Sequence, residues 1–460
     1  MQNEQLQRFS NFFNLYTELR VQENRSTNVV SLNGDIVNNS QTATSGTSVR
    51  TFKNGVYGFA SSADKTDDAI KSNIKRATDN VNFLSSKSNA KDCILPAFTG
   101  KGQYGKYDTA KDASQKEIIE FIKELNAYAE KKYPNLSQRI FSLSGNSSER
   151  RWITSDGADA YSYLSRTNLI MQFQLIKDGE PIELFDFFGG NGQFKDLFLS
   201  PEHYFKKIDE AVEHLTQKAA GVFAKPGIHD VVLAPDLAGI LAHEAIGHTT
   251  ESDFVLAGSV AADYLNKPVA TPLITLVDFA YECNGKICPT PIWIDDEGTA
   301  CRDAVIIKDG ILTSYMHNKQ SAAHFGVEPT GNARANQFSD EPLVRMRNTA
   351  ILPGKDKLAN MIESIEDGYY FVRSSNGQAD STSEFMFGVV LGYEIKNGKL
   401  GQAVRDCTIS GVAFDMLKTV TMVSDDMSWS NGGWCGKKQM INVGMGGPAI
   451  KCKINVGGRA

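Results

Sequence analysis

Two histidines and a glutamate within residues 241–250 are the side chains of this chain best suited to metal chemistry. They form the run His243-Glu244-Ala245-Ile246-Gly247-His248, a His-Glu-x-x-x-His spacing. Two neutral imidazoles can bind zinc, and a carboxylate beside the first is placed to accept a proton from water at the metal. By itself the motif is equally compatible with an ordinary hydrogen-bonded His–Glu pair on a half-buried helix.

The spacing of the two histidines restricts the backbone between them. On a regular α-helix, residues five apart lie about 140° apart around the axis, so the two rings would point in different directions. Both rings reach one metal only if the helix ends or contains a π-bulge between them. The sequence therefore predicts such a break at residues 245–247. Gly247 is expected to permit it, because glycine tolerates left-handed backbone angles at a helix end.

A catalytic zinc normally has three protein ligands and an open position, and Cys435 is the candidate for the third ligand. It lies in a glycine-rich segment, residues 431–437, whose flexible backbone can aim one side chain. Lys437 is close enough in sequence to favour a thiolate. Cys452 instead alternates with isoleucines on an apolar strand face, which predicts a core position. The alternative for Cys435 is a buried thiol packed beside Trp434.

Composition and charge indicate a globular protein. The 460 residues are 41% hydrophobic and 22% charged, with a formal net charge of −6. No stripe of Lys and Arg with interleaved aromatic residues is present, which argues against direct nucleic-acid binding. No apolar run reaches the length of a membrane helix, and residues 1–8 lack the apolar core of a signal peptide. Seven irregularly spaced cysteines fit a reducing compartment, so we expect a cytoplasmic protein.

The N-terminal half combines helical and strand patterns. Apolar periodicity and end signals predict four helices, over residues 4–18, from Thr66, from the Ser114/Glu117 capping box to Pro134, and from Ser200-Pro201 to residue 225. Asn33-Gly34 and Asn54-Gly55 predict hairpin turns, and a β-meander is expected over residues 138–190. Residues 85–113 have the composition of a long surface loop.

The C-terminal half is dominated by strand patterns. Residues 229–233 predict a short strand, after which Asp236 is expected to cap the helix that carries the histidines. Hairpin turns are predicted at Asp309-Gly310 and Asn397-Gly398, and helices near residues 355–366 and 412–420. Because strands and helices are segregated, we predict an α+β fold, with an N-terminal region over residues 1–225 and a C-terminal metallopeptidase domain over residues 226–460.

Many short blocks of the chain resemble, in order, the TldD/PmbA family of metallopeptidases, a family that also bears the name of modulators of DNA gyrase. The motif with residues 251–254 is the first block. The others are residues 294–298, 330–334, 345–349, 377–383, 393–399, 435–437 and the tail 456–458, with looser likeness at 48–50 and 55–60. The likeness spans most of the chain. Residues 438–442 depart from the family, which more often has a Gly-Gln pair there, and residues 85–113 have no counterpart in it.

The resemblance implies zinc on His243, His248 and Cys435, with Glu244 as the catalytic base. It also implies action on unfolded or short peptides reached through an enclosed channel. The family contains metal-free members that pair with active ones, so the resemblance implies either a homodimer or a heterodimer with a PmbA-like subunit.

The leading hypothesis is therefore a zinc-dependent peptidase, and the alternative is a non-catalytic partner subunit of such a heterodimer. Regulation of gyrase rests on the family name alone. The N-terminal region is expected to enclose the site or form the dimer contact, the alternative being a packing role. No substrate-binding residue is predicted.

Overall fold

Long antiparallel strands dominate the N-terminal half in the computed structural model, which describes residues 3–90, 93–430 and 432–458. The strands are β1 Tyr16–Leu32, β2 Asp35–Lys53, β3 Val56–Ser62, β4 Lys101–Tyr104, β5 Gln138–Thr154, β6 Asp159–Lys177 and β7 Glu180–Asn191. They form one sheet in the order β3-β2-β1-β5-β6, and both β4 and β7 pair with the far edge of β6. The predicted β-meander corresponds to β5, β6 and β7.

Five helices pack on this sheet: α1 Asn3–Gln7, α2 Asp67–Lys87, α3 Gln115–Lys132, α4 Phe194–Leu197 and α5 Phe205–Ala219. The capping box predicted at Ser114 and Glu117 is present at the start of α3. Asn33 and Asn54 have the positive φ angles, 52° and 48°, of the predicted hairpin turns. The segment 85–113 contains the end of α2, strand β4 and a 3-10 turn at Thr109–Lys111, so it is less irregular than predicted.

The helix predicted over residues 4–18 is wrong beyond residue 12. After α1 the chain forms a 3-10 helix, Arg8–Phe12, and Tyr16 then begins β1. Leu6 and Phe9 are buried, which accounts for the helical spacing of the apolar residues. Strand pairing along the whole length of β1, beginning at Tyr16 opposite Phe52, overrides the local helical pattern.

The C-terminal half contains two larger sheets and five short helices. Its strands are β8 Gly227–Leu233, β9 Leu276–Phe279, β10 Glu282–Cys283, β11 Lys286–Ile287, β12 Ala304–Lys308, β13 Ile311–Leu312, β14 Ala333–Arg334, β15 Leu343–Val344, β16 Asn348–Ile351, β17 Asp367–Ala379, β18 Glu384–Lys396, β19 Lys399–Val404, β20 Cys407–Val412, β21 Met422–Val423, β22 Ser428–Ser430, β23 Trp434–Lys437, β24 Gln439–Asn442, β25 Gly444–Gly447 and β26 Ile450–Gly457. Its helices are α6 Pro235–Leu241, α7 Ser252–Leu256, α8 Lys319–Phe325, α9 Leu358–Glu363 and α10 Ala413–Leu417.

The strands β17, β8, β26, β20 and β18 close into a ring, because β17 pairs with both β8 and β18. A six-stranded open sheet has the order β13-β12-β9-β16-β25-β22. The histidine segment packs between this open sheet and the ring, against β16, β25 and β17, and it is part of the largest apolar core. This α+β architecture agrees with the predicted fold class, and the turns at residues 309–310 and 397–398 and the helices α9 and α10 lie where expected.

The predicted cap of the histidine helix is wrong in one detail. Ala234 is the N-cap residue of α6 and Pro235 is its first residue. Asp236 lies within the first turn, and burial raises its pKa although hydrogen bonds to Ser430 and to the backbone of Ser374 favour the charged form. Proline suits the first helical position because its missing N–H would be unpaired there in any case.

Buried ion pairs join the N-terminal sheet to the C-terminal half. Arg50 on β2 binds Glu18 at 2.9 Å and Glu297 at 2.5 Å, and Arg20 on β1 lies 3.0 Å from Asp296. Lys319 binds Asp156 at 2.7 Å. Removing one partner of such a pair leaves an uncompensated buried charge, so these contacts fix how the two halves meet. No helix in the described parts of the chain is long and apolar enough to cross a membrane.

Candidate metal centre

The backbone of the histidine segment changes its helical form between the two histidines. The α-helix α6 gives way to a six-residue π-helix, Ala242–Gly247, and then to a 3-10 turn, His248–Thr250. The wider π-turn brings residues five apart to the same side of the axis. The ring centroids of His243 and His248 lie 5.2 Å apart, with an interplanar angle of 79°. The predicted break at residues 245–247 is confirmed.

Gly247 is required for a reason other than the predicted one. Its φ of −57° and ψ of −54° are ordinary right-handed helical angles. A Cβ atom at this position would lie 1.9 Å from Sδ of Met346. The expectation of a left-handed glycine is therefore wrong, and the absent side chain serves the close packing of the π-helix against Met346.

Cys435 is brought to the two histidines by the hairpin of β23 and β24. Its Sγ lies 3.3 Å from Nε2 of His248, and one ligand atom each of His243, His248 and Cys435 lie within 4.8 Å of one another. Cys452 lies on β26, where Ile450, Cys452 and Ile454 are all buried, as the alternation predicted. Burial raises the pKa of the Cys452 thiol to about 12, so this residue is an inert core thiol.

The three side chains fit a zinc ion by their own chemistry. His243 is fully buried, yet neither ring nitrogen has a hydrogen-bond partner of ordinary geometry. Buried polar atoms without partners are costly, and a bound cation would provide the missing partner. Burial raises the pKa of Cys435, but the neighbouring imidazoles of His243 and His248 outweigh it and lower the pKa to about 4. A thiolate and two imidazoles form a donor set that zinc prefers.

Lys437 favours this thiolate less directly than the sequence suggested. Its Nζ lies 3.0 Å from a carboxylate oxygen of Glu251 and 2.7 Å from Asp253, and it donates to the carbonyl of Val344. The charge that lowers the pKa of Cys435 comes from the two histidines. The ammonium group of Lys437 thus holds the two carboxylates rather than the thiol.

Glu251 is a residue of the site to which the sequence analysis gave no role. Its Oε2 lies 3.0 Å from Nδ1 of His248. Burial raises the pKa of Glu251, but His248 and Lys437 lower it to about 2, so the carboxylate is ionised and only accepts. Nδ1 of His248 therefore carries a proton, which leaves Nε2 directed at Cys435. The i,i+3 spacing of His248 and Glu251 is the sequence signal that could have identified this pair.

Glu244 stands beside the ligand set. Its Oε2 lies 3.8 Å from Nε2 of His248, and its side chain is 18% exposed. It lines two cavities of about 550 Å³ and 580 Å³, which also share Gly377 and Trp434. Glu244 thus faces solvent-filled space at the point where the two cavities meet, whereas His243 is fully buried.

One edge of β17 borders both cavities. Over residues 368–371 this edge pairs with β8, and among the described residues no strand pairs with it beyond that point. Residues 374, 375 and 377 line the first cavity, and residues 377–381 line the second. An edge of β17 that no described strand covers beyond residue 371 therefore runs past Glu244, and the backbone of Ser374 on it is hydrogen-bonded to Asp236.

Three buried arginines hold the hairpin that carries Cys435 through its main-chain carbonyls. Arg345 donates to the carbonyl of Cys435 at 2.7 Å, and Arg334 donates to that of Asn442 at 2.7 Å. Arg166, which lies on β6 of the N-terminal sheet, donates to the carbonyl of Val443 at 3.2 Å. The position of the thiol is thus set from both halves of the molecule.

Family models match three successive parts of the chain. The model for domain 1 of the PmbA/TldA metallopeptidases matches residues 17–81, that for the central domain matches residues 108–219, and that for the C-terminal domain matches residues 226–458. The third contains the two histidines, Glu244 and Cys435.

Curated relatives and solved structures agree with this assignment. A metalloprotease TldD homolog of Buchnera aphidicola is 31% identical over 429 residues, covering 90% of this chain and 86% of that protein. A zinc metalloprotease TldD homolog of Saccharolobus solfataricus is 30% identical over 431 residues, covering 90% of both. The crystal structure of TldE from Thermococcus kodakarensis shares the fold, with a TM-score of 0.75 at 18% identity over 99% of both chains. This chain belongs to the PmbA/TldD family of metallopeptidases.

Proposed function

We propose that this protein is a zinc-dependent peptidase that hydrolyses unfolded or short peptides, with zinc on His243, His248 and Cys435 and with Glu244 as general base. The observation that carries the proposal is the convergence of three donor atoms within 4.8 Å, around a buried imidazole that has no hydrogen-bond partner of ordinary geometry among the described residues. A relative that is named a zinc metalloprotease supports zinc as the metal.

Zinc held by these side chains would supply a Lewis acid that brings the pKa of water towards about 7 and polarises a peptide carbonyl. Glu244 accepts the proton of the attacking water and returns it to the leaving amine, a role that its position at the junction of the two cavities allows. Glu251 keeps His248 in the tautomer that ligation requires.

The edge of β17 that no described strand covers supports an extended peptide as the substrate. A peptide can add to such an edge through main-chain hydrogen bonds, with its side chains alternating between the two faces. The cavities on either side of Glu244 leave room for residues before and after the cleaved bond. A folded protein cannot present its main chain in this way, which favours unfolded or short peptides.

The N-terminal half is proposed to enclose the site, in a homodimer or in a heterodimer with a PmbA-like subunit in the cytoplasm. The single cluster of metal-ligating side chains found among the described residues lies in the C-terminal half. The contacts of the N-terminal sheet with the Cys435 hairpin fit a supporting role.

Removal and return of the metal test this proposal. Chelator-treated protein should no longer cleave an unstructured, internally quenched fluorogenic peptide, and one equivalent of zinc should restore cleavage. Purified protein should hold about one zinc per chain, as three protein ligands and an open position imply. Hydrolysis that persists after complete removal of metal would contradict the proposal. A chain that neither binds zinc nor cleaves peptide would instead be the non-catalytic partner.

A further inference from the structure

A third cavity, of about 220 Å³ and lined mainly by polar residues, lies between the N-terminal sheet and the C-terminal half. Four arginines line it: Arg25 on β1, Arg150 on β5, Arg166 on β6 and Arg334 on β14. None of the described residues that line the cavity is acidic. Trp434, the neighbour of Cys435, contributes to its wall, so the cavity adjoins the metal-site hairpin without including a metal ligand.

The four guanidinium groups differ in their partners. Arg25 pairs with Glu23 at 2.6 Å, and Arg150 lies 3.3 Å from Asp296. Arg166 and Arg334 make no ion pair with any described residue, and donate only to main-chain carbonyls and to the hydroxyl of Thr290. Two positive charges at this cavity therefore have no direct ion-pair partner within the described structure.

Both unpaired arginines are buried, Arg166 to 3% exposure and Arg334 to 5%. Burial alone lowers the pKa of Arg166 to about 10. Burial together with the nearby Arg345 and Arg150 lowers the pKa of Arg334 to about 9, although Asp296 and Asp278 favour its charged form. A buried charge without a partner costs free energy, which an anion in the cavity would offset.

Two buried nitrogens of Arg166 indicate the shape of that anion. Nη1 donates to carbonyls at the hairpin, whereas Nε and Nη2 are buried and have no hydrogen-bond partner among the described residues. These two nitrogens lie on one edge of the guanidinium plane, the edge that pairs side-on with both oxygens of a carboxylate.

We propose that this cavity is a binding site for a carboxylate group, recognised by Arg166 and Arg334 and distinct from the metal centre. Two sources share this chemistry, a free small carboxylic acid and the carboxyl terminus of a peptide. The site neither requires bound zinc nor depends on hydrolysis.

The test is ligand-induced thermal stabilisation of the metal-free full chain, at constant ionic strength. The probes are succinate, acetyl-dialanine and the C-terminal amide of acetyl-dialanine. A ligand that binds the folded state raises the melting temperature in proportion to ln(1 + [L]/Kd). Stabilisation by acetyl-dialanine but not by its amide or by succinate supports the site with a peptide terminus as ligand. Stabilisation by succinate supports it with a free acid as ligand.

Two variants link the effect to the cavity. Arg166→Met should weaken probe binding by at least about tenfold, since a charge-assisted pair is lost. Arg151→Gln is the matched control: Arg151 lies on β5 beside the cavity, pairs with Glu149 at 2.7 Å and does not line the cavity. It should bind the probes as the unmodified protein does.

A third variant keeps the test decisive if Arg166→Met does not fold. Asn146, which lines the cavity, is the cross-strand neighbour of Arg166. Asn146→Asp supplies the missing carboxylate with almost no change in size, so it should raise the melting temperature without ligand and abolish stabilisation by the probes. Absence of stabilisation of the unmodified protein by any carboxylate probe, or equal stabilisation of Asn146→Asp, would overturn the proposal.

Discussion

A single sulfur atom distinguishes the proposed ligand set from an all-nitrogen site, and Cys435→Ser removes it. We expect this variant to lose zinc and peptide hydrolysis, because a serine hydroxyl does not ionise at neutral pH as the Cys435 thiol does. Cys452→Ser is the matched control, since Cys452 is a core thiol on β26. Metal analysis and peptide cleavage of both variants check this. Zinc loss from Cys452→Ser with retention in Cys435→Ser would refute the ligand assignment.

Glu244 is expected to accept the proton of the attacking water and not to bind the metal. Glu244→Gln should keep zinc but hydrolyse peptide about 10²–10⁴-fold more slowly, because the acid–base assistance is lost. Zinc content and the rate of peptide cleavage, measured on the same preparation, separate the two roles. Loss of zinc from this variant would mean that Glu244 is a ligand.

Glu251 is expected to act through His248. Glu251→Gln weakens the contact that fixes the ring, so zinc affinity should fall about 10–100-fold. Asp253→Asn is the control, because Asp253 shares the Lys437 contact but no hydrogen bond joins it to His248. Competition with a zinc-binding dye measures both affinities. Equal loss in the two variants would show that the charge near Lys437, and not the ring contact, is what matters.

At the scale of residues, sequence spacing identified the groups that converge but not all of their partners. His243 and His248 were singled out by their motif, and Cys435 was a candidate from its glycine-rich context that the family resemblance then favoured. The structure brings the three side chains together. The pair of His248 with Glu251 was not predicted, although the spacing of three residues between them indicates it. The hydrogen bonds from three buried arginines to main-chain carbonyls of the hairpin could not be predicted, because each joins residues about ninety or more positions apart in the chain.

The π-helix is the element on which the site depends, and Gly247→Ala tests its packing. A methyl group here would overlap Sδ of Met346, so the variant should lose about 1–3 kcal/mol of unfolding free energy together with zinc affinity. Met346→Ala in the same chain should restore part of the zinc affinity. Gly145→Ala is the control, because the nearest atom to its added methyl lies 3.9 Å away. Chemical denaturation and zinc titration check this, and an unaffected Gly247→Ala would contradict the packing argument.

At the scale of elements, local signals predicted turns and caps better than the ends of helices. The Asn-Gly turns and the Ser114 capping box follow from a few adjacent residues, and they are present. The break between the histidines was predicted from helical geometry. The close packing of Gly247 against Met346 was not, because Met346 is distant in the sequence. The helix predicted over residues 4–18 failed at Tyr16 for the same reason, since pairing with β2 decides that segment.

At the scale of the whole molecule, the segregation of strands and helices predicted the α+β class but not the order of the strands. The ring closes through β17, whose partners β8 and β18 lie on either side of it in sequence. The buried ion pairs between the halves, such as that of Arg50 with Glu297, form only when the two halves pack together. Such long-range pairings leave no periodic signal in the sequence.

Enclosure of the metal centre is a prediction about the assembly. We expect a dimer in solution, and we expect cleavage of a short unstructured peptide but not of a tightly folded protein, because only an extended chain can reach the edge of β17 beside Glu244. Light scattering gives the mass, and parallel digests of the two substrates give the preference. A monomer that digests folded protein as readily as the peptide would rule out enclosure.

X-ray absorption at the zinc edge of the zinc-loaded protein counts the ligand atoms and so decides whether one cysteine and two histidines hold the metal. We expect one sulfur at about 2.3 Å and two imidazole nitrogens at about 2.0–2.1 Å, with the remaining position filled by a light atom. The sulfur signal should be absent from any zinc that Cys435→Ser retains. A zinc site without sulfur, or one with two or more sulfurs, would contradict the assignment of His243, His248 and Cys435.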